Sequence, residues 1–156
     1  MTRKIDALLT EYGESHKDPT NKAIHWVCVP VIVWTVAALV YALPVPAFLG
    51  SVQNFNWLLP VFLLVLVYYL IASWQLAVGI AVYLAASLWL IRLYEANFAW
   101  PLWQFALVVF VVAWIGQFWG HKIEGKKPSF LRDIQFLLIG PAWLLHFLYQ
   151  RFGIRY

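Results

Sequence analysis

The feature that most constrains this chain is the length of its uncharged, apolar stretches. No Asp, Glu, Lys or Arg occurs in the 69 residues from Ala23 to Ile91, and none occurs in the 26 residues from Ala96 to His121. Of the 156 residues, 63% are apolar and 12% are charged, whereas soluble domains average about 45–50% apolar and 25% charged residues. A core of this size cannot bury so much apolar surface, so we expect an integral membrane protein.

The sequence predicts an all-α membrane bundle with four transmembrane helices, in a single domain that covers residues 1–156. A hydrocarbon core of about 30 Å needs about 20 helical residues for each crossing. Prolines after residue 43 end the first span, a tight turn at residues 73–75 separates the second from the third, and Pro101 and Gly120 bound the fourth. The predicted spans are residues 23–42, 57–73, 75–93 and 101–119.

Two further helices flank the four spans. Apolar residues at i, i+3, i+4 and i+7 within residues 2–12 predict a short amphipathic helix, which we expect to lie flat on the membrane surface. The last helix is predicted over residues 131–150, and its apolar part, residues 134–150, contains Gly140 and Pro141. This pair favours a broken or re-entrant helix that turns back at residues 140–141.

The distribution of Lys and Arg supports this topology. With four crossings and a returning last helix, ten cationic residues lie on one side of the membrane and only Arg92 lies on the other. A straight fifth crossing would export Arg151 and Arg155 and change the ratio to eight against three. Because cationic residues concentrate on the cytoplasmic side, we expect both termini in the cytoplasm. The net charge of +4 suits an anionic membrane surface, and we expect no nucleic-acid partner.

The strongest functional signal is the convergence of histidines on one face of the membrane. An even number of crossings separates His25 from His121, so both return to the same leaflet, and His16 precedes the first span. His146 joins them only if the last helix turns back. Neutral imidazoles bind iron, zinc and copper, so all four histidines are candidate metal ligands. Because Cys28 is the only cysteine, a Cys-based zinc or iron–sulfur site is excluded.

Two polar residues accompany His121. Gln117, His121 and Glu124 are spaced by four and three, which places them on one helical face. Gln117 lies within an apolar span and needs a hydrogen-bond partner there, which favours an orientation toward the site. Glu124 has three open roles: a metal ligand, a partner of a histidine N–H, or an ion pair with Lys122 or Lys127. Gln117 and Glu124 are therefore the candidate catalytic residues.

These residues occur in a combination that resembles a known membrane family. The characterised fungal member of this family is an iron-dependent 2-hydroxy fatty acid dioxygenase that acts in fatty acid α-oxidation. The matching elements here are Tyr12 with His16, Asn21 and His25 before Pro30, Trp114-Ile-Gly-Gln-Phe-Trp-Gly-His121 with Glu124 and Pro128, and Gly140-Pro141.

The resemblance implies iron(II) bound by His16, His25 and His121. The family pattern has an acidic residue late in the last helix, where this chain has His146, which is the fourth candidate ligand. The resemblance also implies a lipid-like 2-hydroxy acyl substrate, as a free acid or a thioester, with dioxygen as the oxidant. Cleavage between C1 and C2 would give a fatty acid one carbon shorter.

Two other function classes fit the residues. In a b-type haem electron-transfer protein, two histidines from different helices would bind one haem axially, although two of these histidines lie in or beside a surface loop. A non-enzymatic membrane scaffold or small transporter would need no metal. Against transport, the predicted spans contain no charged residue except Arg92 at the end of the third, and no inverted repeat is visible. Metal content and replacement of the histidines distinguish these classes.

Overall fold

The computed structural model describes residues 3–49, 55–127 and 136–155. These residues form α-helices and one short 3-10 helix, Ala47–Leu49, with no strand among them, so the predicted all-α fold is confirmed. Pro128, Arg132 and the predicted beginning of the last helix at residues 131–135 lie outside the described residues. The helices are α1 (Lys4–Gly13), α2 (Pro19–Tyr41), α3 (Leu58–Ala72), α4 (Trp74–Asn97), α5 (Leu102–Glu124) and α6 (Phe136–Arg151).

Three helices of the described chain are long and apolar enough to cross a membrane, not the four that the sequence predicts. These are α2, α4 and α5, with 23, 24 and 23 residues. The predicted span 57–73 corresponds to α3, whose 15 residues extend about 22 Å, less than a hydrocarbon thickness of about 30 Å. The side chain of Asn56 accepts a hydrogen bond from Leu58 N at the start of α3, and the extended backbone of Ser73 ends the helix.

The first long helix, α2, begins earlier than predicted residue 23. The carboxylate of Asp18 accepts hydrogen bonds from the backbone N–H groups of Thr20 (2.7 Å) and Asn21 (3.1 Å). Pro19 occupies the first helical position, where its missing N–H has no cost. Residues 18–21, between His16 and His25, therefore form a helix cap and a first helical turn.

The last long helix, α5, continues past the predicted exit at Gly120 and ends at Gly125, whose φ of 71° is left-handed. Gly120 instead lies against α2, where a Cβ atom would collide with the side chain of Asn21. One turn earlier, a Cβ atom on Gly116 would lie 2.9 Å from the sulfur of Cys28. Two glycines four residues apart therefore let α5 approach α2 closely, and we call this contact the glycine seam.

The last helix, α6, runs unbroken through Gly140 and Pro141, so the predicted break at this pair is wrong. Gly140 allows α6 to pack closely against α1, because a Cβ atom there would lie 3.2 Å from the hydroxyl of Tyr12. The hydroxyl of Tyr69 on α3 donates to the carbonyl of Leu138, in the turn before Pro141. Pro141 gives no hydrogen bond to the carbonyl of Leu137, and the neighbouring carbonyl of Leu138 has this external donor.

α6 is antiparallel to α4 and returns to the end of the bundle at which α2 begins. The hydroxyl of Tyr149 donates to the carbonyl of Gln75 (2.6 Å) at the start of α4, and Gln75 Nε2 donates to the carbonyl of Arg155 (3.3 Å). Further along α4, Gly79 faces Leu145. The C-terminal end of α6 therefore lies beside the turn between α3 and α4.

α1 packs against α6, whereas the sequence predicts that it lies flat on the membrane surface. Its residues Ile5, Leu9 and Tyr12 are buried, so protein covers the apolar face that we expected in lipid. Both ends of the described chain consequently lie at one end of the bundle. The α6 partners in this cluster are Ile139, Ala142, Trp143 and Leu144.

Candidate metal centre

Three buried histidines meet where α2 begins and α5 ends. His16 lies in the loop between α1 and α2, His25 lies on α2, and His121 lies in the last turn of α5. The ring centroids are 4.2 Å apart for His16 and His25, and 5.0 Å apart for His121 and each of the other two. One ligand atom from each ring lies within 4.8 Å of the others. This arrangement could hold one metal ion.

Backbone carbonyls determine which nitrogen carries the proton in two of the rings. Nδ1 of His16 lies 2.6 Å from the carbonyl oxygen of Tyr12, and Nδ1 of His25 lies 2.9 Å from that of Asn21. A carbonyl oxygen only accepts, so both Nδ1 atoms donate and both Nε2 atoms keep a lone pair. Metal-binding histidines in proteins are commonly oriented in this way.

The two Nε2 atoms of His16 and His25 are 2.9 Å apart. Because each presents a lone pair without a proton, the two atoms repel each other unless a cation lies beside both. Burial lowers the pKa of His16 to about 4, so a proton is not that cation at neutral pH. A metal ion about 2.1 Å from each nitrogen would separate them by about 3 Å. The residues present therefore fit a metal ion.

The third imidazole, that of His121, also has a ring nitrogen that could bind a metal ion. His121 is buried, and its Nδ1 has no hydrogen-bond partner among the described residues. A buried polar atom without a partner costs stability unless a ligand satisfies it. Three neutral imidazoles suit iron, zinc and copper.

Glu124 holds the loop that carries His16. Its two carboxylate oxygens accept hydrogen bonds from the backbone N–H groups of Lys17 (2.9 Å) and Asp18 (2.8 Å). The side-chain amide of Asn21 also donates to this carboxylate (3.2 Å). Because Glu124 is the last residue of α5, these bonds join the end of that helix to the loop. We call this arrangement the Glu124 clamp, and it gives Glu124 a positioning role.

Gln117 lies one turn before His121 on α5 and faces a small cavity beside the histidines. Its side chain is 6% exposed, and its Oε1 atom has no hydrogen-bond partner within the described ranges. The cavity has a volume of about 40 Å³, which is room for one or two water-sized groups. Other polar residues that line this cavity are Tyr12, His25 and His121.

Two aromatic rings form a wall of the histidine group. Tyr12 stacks on His16 with ring centroids 4.2 Å apart and an interplanar angle of 16°, and Trp143 of α6 lies 5.1 Å from the same ring. Burial raises the pKa of the Tyr12 hydroxyl, which therefore stays protonated. From the sequence, Tyr12 is linked to the site only by the family pattern. Its position four residues before His16 is the signal that could have placed it there.

The structure does not bring His146 to the other three histidines. It lies on α6, with its ring 5.6 Å from that of Phe147 and within electrostatic range of Asp6 on α1. The part of α6 that contacts His16 carries Trp143 instead. The group in the described chain that could hold a metal consists of His16, His25 and His121.

Fold and site together define a helical bundle with three helices able to cross a membrane and a buried three-histidine group able to hold a metal ion. Residues 2–152 match the family described as 2-hydroxy-palmitic acid dioxygenase Mpo1-like, and the chain belongs to this family. The resemblance that the sequence motifs indicate is thus confirmed over nearly the whole chain. No curated protein and no solved structure matches the chain.

Proposed function

We propose that this chain is an iron(II)-dependent dioxygenase that shortens 2-hydroxy fatty acids by one carbon. The observation that carries the proposal is a three-histidine group in a chain whose family is described as a 2-hydroxy-palmitic acid dioxygenase. His16, His25 and His121 would hold the iron, which supplies redox chemistry with dioxygen when bound. The balanced reaction is RCH(OH)COOH + O2 → RCOOH + CO2 + H2O, which needs no further reductant.

The polar end of the substrate would lie in the small cavity beside the histidines. Gln117 Oε1 is a buried acceptor at this cavity, and the 2-hydroxyl group of the substrate is a matching donor. Val29 and Ile32 also line the cavity, so apolar side chains limit the entry of water. The Glu124 clamp would keep His16 in position.

The site geometry does not favour the b-type haem alternative. Axial ligands lie on opposite faces of a flat macrocycle. The rings of His16 and His25 instead meet at 77° with centroids 4.2 Å apart, which leaves no room for a porphyrin between them. A scaffold or transporter has no need of a buried metal-binding group, so the family assignment and the site both support an enzyme.

The test of the proposed function is conversion of 2-hydroxypalmitic acid by the iron-loaded protein in lipid vesicles. We expect the acid one carbon shorter, formed only when iron(II) and dioxygen are both present. The reaction consumes dioxygen, and the bound iron would supply its redox chemistry. Mass spectrometry of the lipid extract measures it. His25→Ala should form no product. An iron-loaded, folded protein that leaves both the free acid and its thioester unchanged would contradict the proposal.

We further propose that α2, α3, α4 and α5 all cross the bilayer and that both termini lie in the cytoplasm. A single residue, Ser73, joins α3 to α4, so α3 would run back along α4, and the bilayer would thin locally to match its length of about 22 Å. The cations in the loops and near the helix ends follow the same division, with Arg92, near the end of α4, alone on the opposite side.

This topology predicts the side from which single cysteines react. In a Cys28→Ser background, Glu11→Cys and Ile154→Cys should react with an impermeant reagent from the cytoplasmic side only, because both exposed positions lie at the histidine end of the bundle. Ala99→Cys, in the turn between α4 and α5, should react from the other side. Labelling of positions 99 and 154 from the same side would contradict the proposed topology.

A further inference from the structure

A large apolar cavity lies between α2, α3, α4 and α6. Its volume is about 470 Å³, within the range of about 300–1,000 Å³ that is typical of ligand pockets. The two hydroxyl groups on its wall are both used in hydrogen bonds to backbone carbonyls: Tyr69 donates to Leu138 and Tyr83 donates to Pro30. The surface left for an occupant is therefore hydrocarbon. We call this cavity the tail groove.

The tail groove adjoins the small cavity at the histidines. Ile32, Val33 and Leu137 line both spaces. A single elongated molecule could therefore place a polar end beside Gln117 and His121 and extend an apolar remainder along α2.

The distance from His25 to the far end of the tail groove matches a long acyl chain. Val33, Ala37 and Val40 lie on one face of α2 and line the groove. With a rise of 1.5 Å per residue, Val33 is about 12 Å and Val40 about 22 Å beyond His25. An extended hydrocarbon chain advances about 1.25 Å per carbon, so 22 Å corresponds to about 18 carbons. Buried Leu58 lines the far part of the groove.

The groove is also open toward the surrounding lipid. Val36 and Val61 line it and are 45% and 39% exposed on the surface of the bundle. An acyl chain could enter sideways between α2 and α3 without leaving the hydrocarbon layer. This route avoids the cost of moving an apolar chain through water, about 0.8 kcal/mol for each methylene group.

We infer that the tail groove binds the acyl chain of the substrate and determines which chain lengths are accepted, an inference that rests on the proposed function. The head of the substrate lies at the histidines, the chain runs past Val33, and its methyl end lies near Val40 and Leu58. A longer chain meets Leu58, and a shorter chain leaves apolar surface uncovered.

The first test uses two groove variants that shorten the groove by different amounts. Val40→Phe should reduce kcat/KM for the longest 2-hydroxy acids only, by about fourfold for each methylene group that no longer fits. Val33→Phe should lower the accepted length by about eight further carbons, because seven residues of α2 extend about 10 Å. The matched control is Val82→Phe on the lipid-exposed face of α4, which should keep the wild-type chain-length profile.

The second test does not require turnover. A 2-hydroxy fatty acid with a diazirine at its methyl end is photolysed with the protein in vesicles without dioxygen, and mass spectrometry locates the label. We expect label near Val40 and within residues 58–62, and we expect unlabelled 2-hydroxypalmitic acid to compete with it. Label that lies equally on Val78 and Val82 and resists competition would show that the groove holds only membrane lipid.

The two proposals fail in different ways. An active wild-type enzyme whose chain-length profile is the same in Val33→Phe and Val40→Phe overturns the tail groove and leaves the dioxygenase intact. Competed labelling of the groove in a protein that converts no 2-hydroxy acid overturns the dioxygenase and leaves acyl binding intact.

Discussion

Protein purified in detergent should contain about one iron per chain, and His121→Ala should reduce this to background. His121 contributes one of three neutral imidazoles, and two remaining nitrogen ligands bind a divalent ion too weakly to survive purification. His16→Ala and His25→Ala should lose the metal in the same way. Elemental analysis of protein prepared without chelators and without a histidine tag measures the metal content.

The matched control for this experiment is His146→Ala. His146 is the same residue type at the same end of the bundle, but it lies outside the group of three, so this variant should keep its iron. Loss of iron in His146→Ala to the same extent as in His121→Ala would show that the metal site includes α6, which would contradict the three-histidine centre.

Glu124→Ala should weaken metal binding by about 10–100-fold without removing a ligand. The clamp holds the backbone of Lys17 and Asp18, and His16 directly precedes these residues. Without the carboxylate, the loop loses its attachment to α5, and placing His16 at the metal costs conformational entropy. Competition with a chelator of known affinity measures the change in the dissociation constant.

Glu11→Ala is the control for the clamp, because Glu11 is an exposed carboxylate on α1. It should bind the metal like the wild type. If Glu124 were itself a ligand, Glu124→Ala would lose its metal as completely as His121→Ala. Wild-type affinity in Glu124→Ala would show that the clamp does not position His16.

The lengths of the charge-free runs in the sequence predict much of this fold. The charge-free runs contain α2 to α5 apart from short helix ends, and the turn near residue 73 is found at Ser73. The length of α3 is harder to predict, because its apolar run continues beyond the helix in both directions. α3 begins after the side-chain cap at Asn56 and ends at the extended residue Ser73. Hydropathy predicts neither of these features.

The convergence of His25 and His121 follows from counting crossings, since helices that traverse the bundle an even number of times return to one end. The residues that position these rings cannot be predicted by counting crossings. Whether Glu124 meets the loop before α2 depends on how closely α5 approaches α2. That distance is set by Gly116 and Gly120, and the sequence alone predicts that Gly120 ends the helix.

At Gly140 and Pro141, the local sequence predicts a helix break that the structure does not contain. Proline in a helix predicts a break, and a break would have brought His146 to the site. In the structure the helix continues, because Gly140 fits closely against Tyr12 and the hydroxyl of Tyr69 supports the turn before the proline. Both supports come from other helices, so the local sequence does not contain them.

The glycine seam has a consequence for how the protein is synthesised. His25 leaves the ribosome with α2, but His121 follows only after α3 and α4 have been made, because translation proceeds from the N-terminus. The seam that brings these two residues together does not exist until α5 has inserted beside α2. Under the proposed function, metal capture therefore comes after membrane insertion, and a chain interrupted during translation lacks the third histidine of the site.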